Sequence, residues 1–447
     1  MNMNENIFLA KAGDCTVELQ SALSEAAEAG RVLRLAPGVH QTGGLALPSG
    51  VHLHIPEGAV LRFSAAYQDY ERNRVDVIAE DSDRAMLLAK NASGIRISGE
   101  GVIEAPGCDY IVGRLEDMGT HVPAPERPRV LVLDHCQDVQ LTGFSVRQSP
   151  MWTIHLIACQ DVEVSNLDIE NDREMPNTDG LVIDSCERVA IRNCQIATAD
   201  DGIVLKTSKG ADGKPVGACR DVLVEHCQIE SRSCALKIGT ETHGDVENIS
   251  FVDCDIVRSN RALGIFSRDG GRIRNIVHRD IRVEASETPD GFWGSGEAIT
   301  INVVDRRRER PAGPVEAVRF ERITGTMEGA INLVADGASG IAGVVFKDVC
   351  VRQRDGRFKG HRYDMRPTRF DLAPSPDAAG RANAWVKDES GQVIGLVAYP
   401  GGMPSLFASN VEGLELSEVL FDRPSPLPQG WSEEAIVTVS GASPVWS

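Results

Sequence analysis

Three aspartates in two short segments are the residues of this chain best placed to do chemistry. Asp179 lies in the segment Asn177-Thr-Asp-Gly180, and Asp200 and Asp201 follow 21 and 22 residues later, directly before a glycine. Each segment lies in a loop next to a run of residues typical of a β-strand. Carboxylates held close together repel one another unless one carries a proton, so such a group supplies an acid and a base together.

The sequence around these aspartates repeats. Variants of one phrase, a short strand that ends at a cysteine, occur at residues 130–136, 154–159 and 181–186, and the phrase begins again near residue 218. A repeat of about 20 to 30 residues with short strands is typical of a solenoid, and the absence of a helical period indicates a β-helix. Equivalent positions on successive coils then lie about 4.8 Å apart. The spacing of Asp179 and Asp201 is close to one coil, which predicts that the three carboxylates meet.

Length and charge exclude several classes of function. The chain has 447 residues and a formal net charge of −19. A solenoid accommodates this length because it grows in one dimension. Nucleic-acid binding requires a basic surface, so we expect no nucleic-acid partner. No apolar run reaches the length of a membrane span, so we expect no membrane partner either. The oligomeric state is open.

Seven of the eleven cysteines follow the repeat. They are expected to be small buried side chains stacked inside the β-helix rather than disulfides. The first residues lack the basic and apolar segments of a secretion signal. We therefore expect a cytoplasmic protein with reduced cysteines. The two stacked registers are Cys136, Cys159, Cys186 and Cys219, and Cys194, Cys227 and Cys254.

A single β-helix domain over residues 1–447 is the predicted organisation. Residues 14–30 have the apolar period of an α-helix, with Gly30 as its C-cap, and this helix should cover the open N-terminal end of the solenoid. Coils are expected over residues 31–351, and an irregular insertion over 352–400. Residues 401–447 should contain the last coil and a C-terminal tail, which frays at Pro424, Pro426 and Pro428.

Several motifs together resemble those of glycoside hydrolase family 28, the polygalacturonases and their relatives. The matching segments are residues 14–38, Trp152-Thr-Ile-His155, residues 177–180 and Asp200-Asp-Gly-Ile-Val-Leu-Lys206, in the same order and spacing. The resemblance covers residues 14–350 and 405–421. It implies a right-handed parallel β-helix of the pectin lyase-like type and a glycosidase that acts on pectic or related oligosaccharides. No cofactor or metal is implied.

The resemblance also assigns roles. Asp200 corresponds to the general acid, Asp179 and Asp201 to the pair that holds and deprotonates the attacking water, and Asn177 to a residue that orients them. This division of labour is that of an inverting glycosidase, in which an acid and a base act on opposite sides of the sugar. We expect exo action on oligosaccharides.

Two motifs of the galacturonide-cleaving members are absent. Cys234 stands where their Gly-His-Gly has a histidine, and Gly264 and Phe266 stand where their Arg-Ile-Lys has two cations. Glycine and phenylalanine cannot hold a carboxylate as two cations do. We therefore expect polygalacturonate to be a poor substrate, and Phe266 to favour an apolar contact, as with a 6-deoxy sugar. Phe292 and Trp293 form either a sugar-stacking wall or a loop plug.

Four more side chains are candidate substrate contacts. Lys206 belongs to the motif of Asp200 and either pairs with the carboxylates or is a solvated strand lysine. His155 is either a substrate contact or a structural strand residue. His243 is a candidate to replace the missing histidine, the alternative being an ordinary turn histidine. Arg268, also in a turn, could hold a substrate anion or hydroxyl.

Two other functions fit a β-helix with this acidic cluster. A polysaccharide lyase would use the carboxylates to bind calcium and a basic residue to abstract a proton, and its product would be unsaturated and absorb ultraviolet light. A non-catalytic β-helix would bind carbohydrate without turnover. The intact set of three carboxylates favours hydrolysis over both.

Overall fold

The structure is a computed structural model that describes residues 5–79, 82–116, 119–288, 293–356, 361–366, 388–441 and 444–446. Over these residues the chain forms a right-handed parallel β-helix with an α-helix at its N-terminal end. The all-β fold expected from the repeat is therefore confirmed. None of the helices in this part of the chain is long and apolar enough to cross a membrane.

The element bounds follow the repeat. Helix α1 spans Thr16–Glu28, and 3₁₀ helices span Tyr67–Tyr70 and Gly107–Tyr110. The strands in chain order are β1 Glu5–Phe8, β2 Val32–Leu35, β3 Gly38–Thr42, β4 Leu45–Ala46, β5 His52–His54, β6 Ala59–Phe63, β7 Arg74–Ala79, β8 Ser82–Lys90, β9 Ser93–Ser98, β10 Val102–Glu104, β11 Ile111–Leu115, β12 Thr120–Pro123, β13 Arg129–Asp134, β14 Gln137–Thr142, β15 Ser145–Arg147, β16 Ile154–Ile157, β17 Gln160–Ser165, β18 Asp168–Glu170, β19 Leu181–Asp184, β20 Glu187–Arg192, β21 Gln195–Thr198, β22 Ile203–Thr207, β23 Cys219–Glu225, β24 Gln228–Thr242, β25 Val246–Val252, β26 Asp255–Ser267, β27 Ile273–Ala285, β28 Ile299–Val304, β29 Val315–Met327, β30 Ile331–Asp336, β31 Ile341–Gln353, β32 Arg362–Asp364, β33 Leu396–Ala398, β34 Leu406–Ser409, β35 Val411–Asp422, β36 Ile436–Val439 and β37 Val445–Trp446.

Three parallel sheets run along the β-helix. The site sheet contains β8, β13, β16, β19, β22, β28, β30, β34 and β36, together with the C-terminal parts of β24 and β26. The second sheet runs from β2 through β14, β17 and β20 to β37, and the third from β3 through β15, β18 and β21 to the end of β35. In each coil, the strands join the three sheets in the same order along the chain. The loops that follow third-sheet strands therefore all lead into the site sheet.

Register in the site sheet decides which side chains face outward. Leu181, Ile203, Leu236 and Leu263 are neighbours on four successive coils and are fully buried in the core. Burying each such side chain stabilises the fold by about 1.5–3 kcal/mol. A slip of one residue would expose the whole row, so the register is strongly determined. Alternate residues of the same strands point outward, where a substrate can be reached.

The N-terminal helix covers the first coils, as predicted. Leu19, Leu23 and Ala26 are buried in the main core, whereas Val17 is 78% exposed. The C-cap is Ala29, one residue before the predicted Gly30, and Gly30 follows it with a φ of +60°, a conformation that suits glycine directly after a helix. Strand β1 pairs with β2 and completes this end.

The cysteines lie where the repeat predicted them. All eleven are free, and both predicted registers are buried in the core between coils. Cys108 and Cys350 are exposed.

The C-terminal part differs from the prediction. Strand β36 pairs with β34, and β37 pairs with β35, so a further coil follows the proline-rich segment. The three prolines therefore lie in a connecting loop, and the expectation of a frayed end there was wrong. In the predicted insertion, β32 and β33 form an antiparallel pair, while residues 357–360 and 367–387 lie outside the described chain. The single-domain assignment stays a prediction.

A ladder of stacked aromatic rings runs through the core of the second sheet. Phe251, His278, Phe320 and Phe346 are register partners on consecutive coils, with ring centroids 4.8 to 5.0 Å apart. Both ring nitrogens of His278 are buried without a hydrogen-bond partner. Burial lowers the pKa of His278 from 6.5 to about 3, because the charged ring would be desolvated.

His278→Phe should make stability less sensitive to acid. Between pH 6.5 and 3 the unfolded chain binds a proton at this position and the folded chain does not. Stability therefore falls as the pH falls, by up to about 1.4 kcal/mol per pH unit. Urea-unfolding midpoints at pH 6.5, 5 and 4 should show a shallower slope for His278→Phe than for wild type. His226→Gln, at an exposed histidine, is the control that keeps the wild-type slope. An unchanged slope for His278→Phe would contradict this account.

Candidate active site

Backbone pairing between coils brings the two acidic loops together. The Gly180 N–H donates to the carbonyl of Asp201 (2.9 Å), and the Gly202 N–H donates to the carbonyl of Cys234 (2.9 Å). A Cβ atom on Gly180 would lie 2.6 Å from the Gly202 carbonyl oxygen, and one on Gly202 would lie 2.6 Å from that of Ala235. The glycines that follow the aspartates are therefore needed for the loops to stack this closely.

The three carboxylates meet as predicted. Asp179, Asp200 and Asp201 each place a carboxylate oxygen within 4.8 Å of the others, and their side chains are 2 to 6% exposed. Asp200 accepts hydrogen bonds from the backbone N–H groups of Asn177 (3.2 Å) and Asp201 (3.1 Å). Asp201 accepts from Ser233 Oγ (3.1 Å) and from Lys237 Nζ (2.6 Å), one on each oxygen. We call Asp179, Asp200 and Asp201 the carboxylate trio.

Burial and mutual repulsion set the protonation of the trio. Burial, followed by the charges of Asp200 and Asp201, raises the pKa of Asp179 well above its ordinary value. Burial also raises the pKa of Asp201, but the ammonium of Lys237 opposes the increase. The trio therefore retains a proton more readily than solvated aspartates do, and it holds an acid beside ionised carboxylate.

Lys206 lies beside the trio but pairs with a residue outside it. Its ammonium is 2.6 Å from Glu241 Oε2 and 5.0 Å from the centre of the Trp152 ring. Burial would lower the pKa of Lys206, but the charges of Glu241, Asp179 and Asp201 outweigh it and raise that pKa. The interpretation of Lys206 as a solvated strand lysine is therefore wrong.

A series of ion pairs begins at Lys206. Arg306 lies 3.8 Å from Glu241 and binds Asp269 through two hydrogen bonds of 3.0 and 2.5 Å. Burial would raise the pKa of Glu241, but Lys206 and Arg306 lower it. A third of the Glu241 side chain is exposed, so solvent screens these pairs in part. Glu241 is the ionised partner that holds Lys206 in place.

His155 supports the site from below instead of contacting substrate. It is fully buried, so its prediction as a substrate contact was wrong. Arg129 donates to Nδ1 (2.8 Å), which places the proton on Nε2, facing Asp184 at 3.3 Å. Burial lowers the pKa of His155 to about 4, which keeps the ring neutral near pH 7. Trp152 packs edge-on against this ring with centroids 4.9 Å apart, and its own face supports Lys206.

Arg268 does not reach a substrate either. It is fully buried and donates to the backbone carbonyls of Ser267, Asn302 and Met365. Burial lowers its pKa to about 9. The prediction that Arg268 holds a substrate anion or hydroxyl was wrong, because its guanidinium is covered and donates to these backbone carbonyls.

Phe266 lies on the outer face of the site sheet but is fully buried there. Its ring covers Gly264, where an added Cβ would lie 2.5 Å from the Phe266 Cε2 atom and 2.7 Å from the Cys234 sulfur. Lys237 and Arg261 lie 5.5 and 5.0 Å from the ring centre. The expected apolar contact between Phe266 and a sugar was therefore wrong. The positions of the missing cations are filled by this ring.

The remaining candidates lie at the edge of the site. The Asn177 side-chain oxygen accepts from Arg127 (2.9 Å), while its backbone N–H holds Asp200. The His243 ring lies 3.5 Å from the Asp269 carboxylate. Within the described part of the chain, the cluster formed by the trio does not include His243. Trp293 packs against the guanidinium of Arg366, whereas Phe292 lies outside the described chain.

Sequence reasoning missed several residues that organise the site. Ser233 and Glu241 lie in β24, where its pairing with the neighbouring coils is irregular, and Arg306 lies in the loop after β28. No motif marked any of the three as a site residue. Lys237 and Asp184 had a usable signal. Each lies next to a core residue of a site-sheet strand, and alternation places it on the outer face.

The trio also has the spacing of a metal site. Within the described part of the chain, no other cluster of histidine, cysteine or carboxylate side chains has it. Lys237 in contact with Asp201, and Lys206 beside the trio, already supply positive charge where a divalent cation would bind. The donor set therefore fits acid–base chemistry better than calcium binding.

The outer face of the site sheet is covered on both sides of the trio. On the N-terminal side, Val132 and Ile157 pack under Val75 and Val77 of β7 in a separate apolar cluster. On the C-terminal side, β32 crosses the sheet, and the Asp364 carboxylate binds Arg261 at 2.8 Å. The accessible stretch of sheet is therefore short.

Comparison with known proteins identifies the family. A model of the glycosyl hydrolases family 28 matches residues 72–361, well over half of the chain. The chain belongs to glycosyl hydrolase family 28. The family that the motifs predicted is therefore confirmed.

Individual relatives are distant. The chain is 26% identical over 253 residues to a probable polygalacturonase of Arabidopsis thaliana, covering 55% of this chain and 50% of the relative. It is 23% identical over 366 residues to an endo-polygalacturonase of Pectobacterium carotovorum, covering 77% and 85%. A family 28 exopolygalacturonase structure from Yersinia enterocolitica superposes with a TM-score of 0.63 at 14% identity, covering 99% of this chain and 79% of that one. The chain spans about half the length of the plant relative, and the structural likeness shows the fold.

Asp200→Asn should abolish most turnover and leave the fold intact. An amide cannot donate the proton that the leaving oxygen needs, and general acid catalysis contributes about 10²–10⁴-fold. A natural oligosaccharide should show the full loss, and an aryl glycoside with a good leaving group a smaller one. Asp168→Asn, at a half-buried strand position outside the trio, should retain activity. Near-wild-type turnover of Asp200→Asn would remove this residue from the mechanism.

Proposed function

We propose that this family 28 enzyme is an inverting, exo-acting hydrolase of pectic oligosaccharides. The observation that carries the proposal is the buried carboxylate trio, whose three members have unequal surroundings. An acid and an ionised base in one site are what single-step displacement at an anomeric carbon requires.

In this mechanism Asp200 protonates the leaving oxygen. Its two backbone hydrogen bonds fix the orientation of the carboxyl group before the substrate arrives. Asp179 and Asp201 hold the attacking water, and Asp201, with Lys237 on one oxygen, accepts the water proton. Asp179 lies beside Asp200, and burial together with the neighbouring carboxylates favours the protonated form of Asp179.

The short accessible face supports the proposal of exo action. Strands of the site sheet are about 4.8 Å apart, so β26, where Arg261 meets Asp364, is about 10 Å from the coil of Asp201. That distance accommodates one or two sugar units on the C-terminal side. The cluster around Val75 and Val132 limits the other side. A pocket of this length suits a chain end better than the middle of a polymer.

The charges around the trio favour a neutral or modified sugar in the cleaved position. The linked network contains five carboxylates, Asp179, Asp200, Asp201, Glu241 and Asp269, against the three cations Lys206, Lys237 and Arg306. A uronate would add another anion to this acidic network, and the ring of Phe266 fills the positions at residues 264 and 266 where two cations would hold it. The free, mostly buried cysteines support a reducing compartment, so we propose that the substrate is an imported oligosaccharide.

Early products should be short fragments from the chain end with inverted anomeric configuration. Hydrolysis of a defined oligosaccharide, followed by NMR within the first minutes and by chromatography, reads both properties. A retained anomer would indicate a covalent intermediate and contradict the assigned roles. A broad ladder of internal fragments would contradict exo action. An unsaturated product that absorbs ultraviolet light would identify a lyase.

Polygalacturonate should be hydrolysed at least about tenfold more slowly than a pectic oligosaccharide with a neutral terminal sugar, which corresponds to a difference of about 1.4 kcal/mol in transition-state binding. The reason is the excess of carboxylates and the burial of Arg268 and Phe266. Reducing-end release from both substrates gives kcat/KM for each. A faster reaction with polygalacturonate would show that Lys206 or Lys237 holds the substrate carboxylate.

A further inference from the structure

Lys237 is placed to act on the carboxylate trio from a neighbouring coil. On the outer face of β24 its register partners are Val204 on the preceding coil and Gly264 on the following one. Neither partner has a polar side chain. The Lys237 ammonium lies 2.6 Å from Asp201 Oδ2, and the ring of Phe266 lies 5.5 Å away. Only 13% of the lysine side chain is exposed, so solvent screens this pair weakly.

The contacts of Asp201 differ from those of its neighbours in one respect. Asp201 accepts a charge-assisted hydrogen bond from Lys237 on one oxygen and a hydroxyl hydrogen bond from Ser233 on the other. Both contacts stabilise the ionised form and fix the plane of the carboxylate. The surroundings of Asp179 are dominated by burial and by neighbouring carboxylates, which favour its protonated form.

We propose that Lys237 is a positioning residue for the reaction: it keeps Asp201 ionised and correctly oriented as the base, with Asp200 as the acid. This inference rests on the proposed hydrolytic mechanism. Lys237 acts through Asp201 and needs no contact with substrate.

Other charged and titratable groups also face Asp201. Their effects oppose one another, and Lys237 is the cation that hydrogen-bonds to Asp201 directly. Loss of Lys237 leaves Asp201 buried between two carboxylates with Lys206 and Arg261 as more distant cations. Besides Lys237, the charged and titratable groups that face Asp201 are Asp179, Asp200, Lys206, the Cys234 thiol and Arg261.

The test compares pH profiles of kcat/KM for wild type, Lys237→Met and Lys237→Arg. Without the ammonium the base loses its proton only at higher pH, so the acid limb of the Lys237→Met profile should move upward. A cation at this distance lowers a carboxylate pKa by about 1–3 units, so the expected shift is about one unit or more. Lys237→Arg keeps the charge and should leave the limb close to wild type. An acid limb of Lys237→Met that superimposes on wild type would overturn the proposal.

A control lysine separates this effect from a general loss of charge. Lys90 forms an ion pair with Asp76 at 3.0 Å, and that pair is outside the trio. Lys90→Met should keep the wild-type profile. A limb that moves equally in Lys90→Met and Lys237→Met would also overturn the proposal.

A second measurement does not depend on turnover. Lys237→Met should lower the thermal midpoint, because Asp201 is left buried without its counter-charge. Asp201→Asn in the same chain should recover most of that loss, since the neutral amide needs no ammonium. Strictly additive effects of the two substitutions would show that the pair is not coupled and would overturn the inference. This result holds even if wild type hydrolyses none of the glycosides offered, an outcome that would contradict the proposed function alone.

Discussion

Burying three carboxylates beside one another is the constraint on which the rest of this site depends. Each carboxylate loses hydration and repels the other two, so the group is stable only with a shared proton or with nearby positive charge. The structure supplies both. Burial favours a proton on Asp179, and Lys237 and Lys206 place ammonium groups against and beside the trio. The same features that make the cluster tolerable also give it an acid and a base.

Parallel strand pairing is what brings these charges within reach of one another. Asp179 and Asp201 are distant in sequence, but their coils are joined by the backbone hydrogen bond from Gly180 to Asp201. Lys237 comes from the next coil in the same sheet. The supporting layer is equally ordered, because His155 and Trp152 of an earlier coil hold the aromatic face beneath Lys206. Rigid core packing of each coil therefore determines the positions of groups on its outer face.

The sequence predicted the β-helix, the meeting of the trio and the stacked cysteines, because all three follow from the period of the repeat. It did not predict the fates of His155, Arg268 and Phe266, since alternation shows which residues leave the core but not what later covers them. Trp152 and Arg129 cover the His155 ring, and Arg268 is buried with its guanidinium donating to backbone carbonyls. Glu241 was missed because its role arises from contact with Lys206, a pairing between coils that no motif records.

The coil of Gly264 and Phe266 shows why counting basic residues does not predict whether a site can bind an anion. Cations are present there, with Arg261 and Arg268 lying 5.0 and 5.9 Å from the Phe266 ring. Both are buried, and Arg261 donates to Asp364 while Arg268 donates to backbone carbonyls. A guanidinium selects a carboxylate ligand only when its donors face the ligand. The positive charge of that coil stabilises the fold around an aromatic ring, and within the described part of the chain Lys237 on the preceding coil is the cation that hydrogen-bonds to the carboxylate trio.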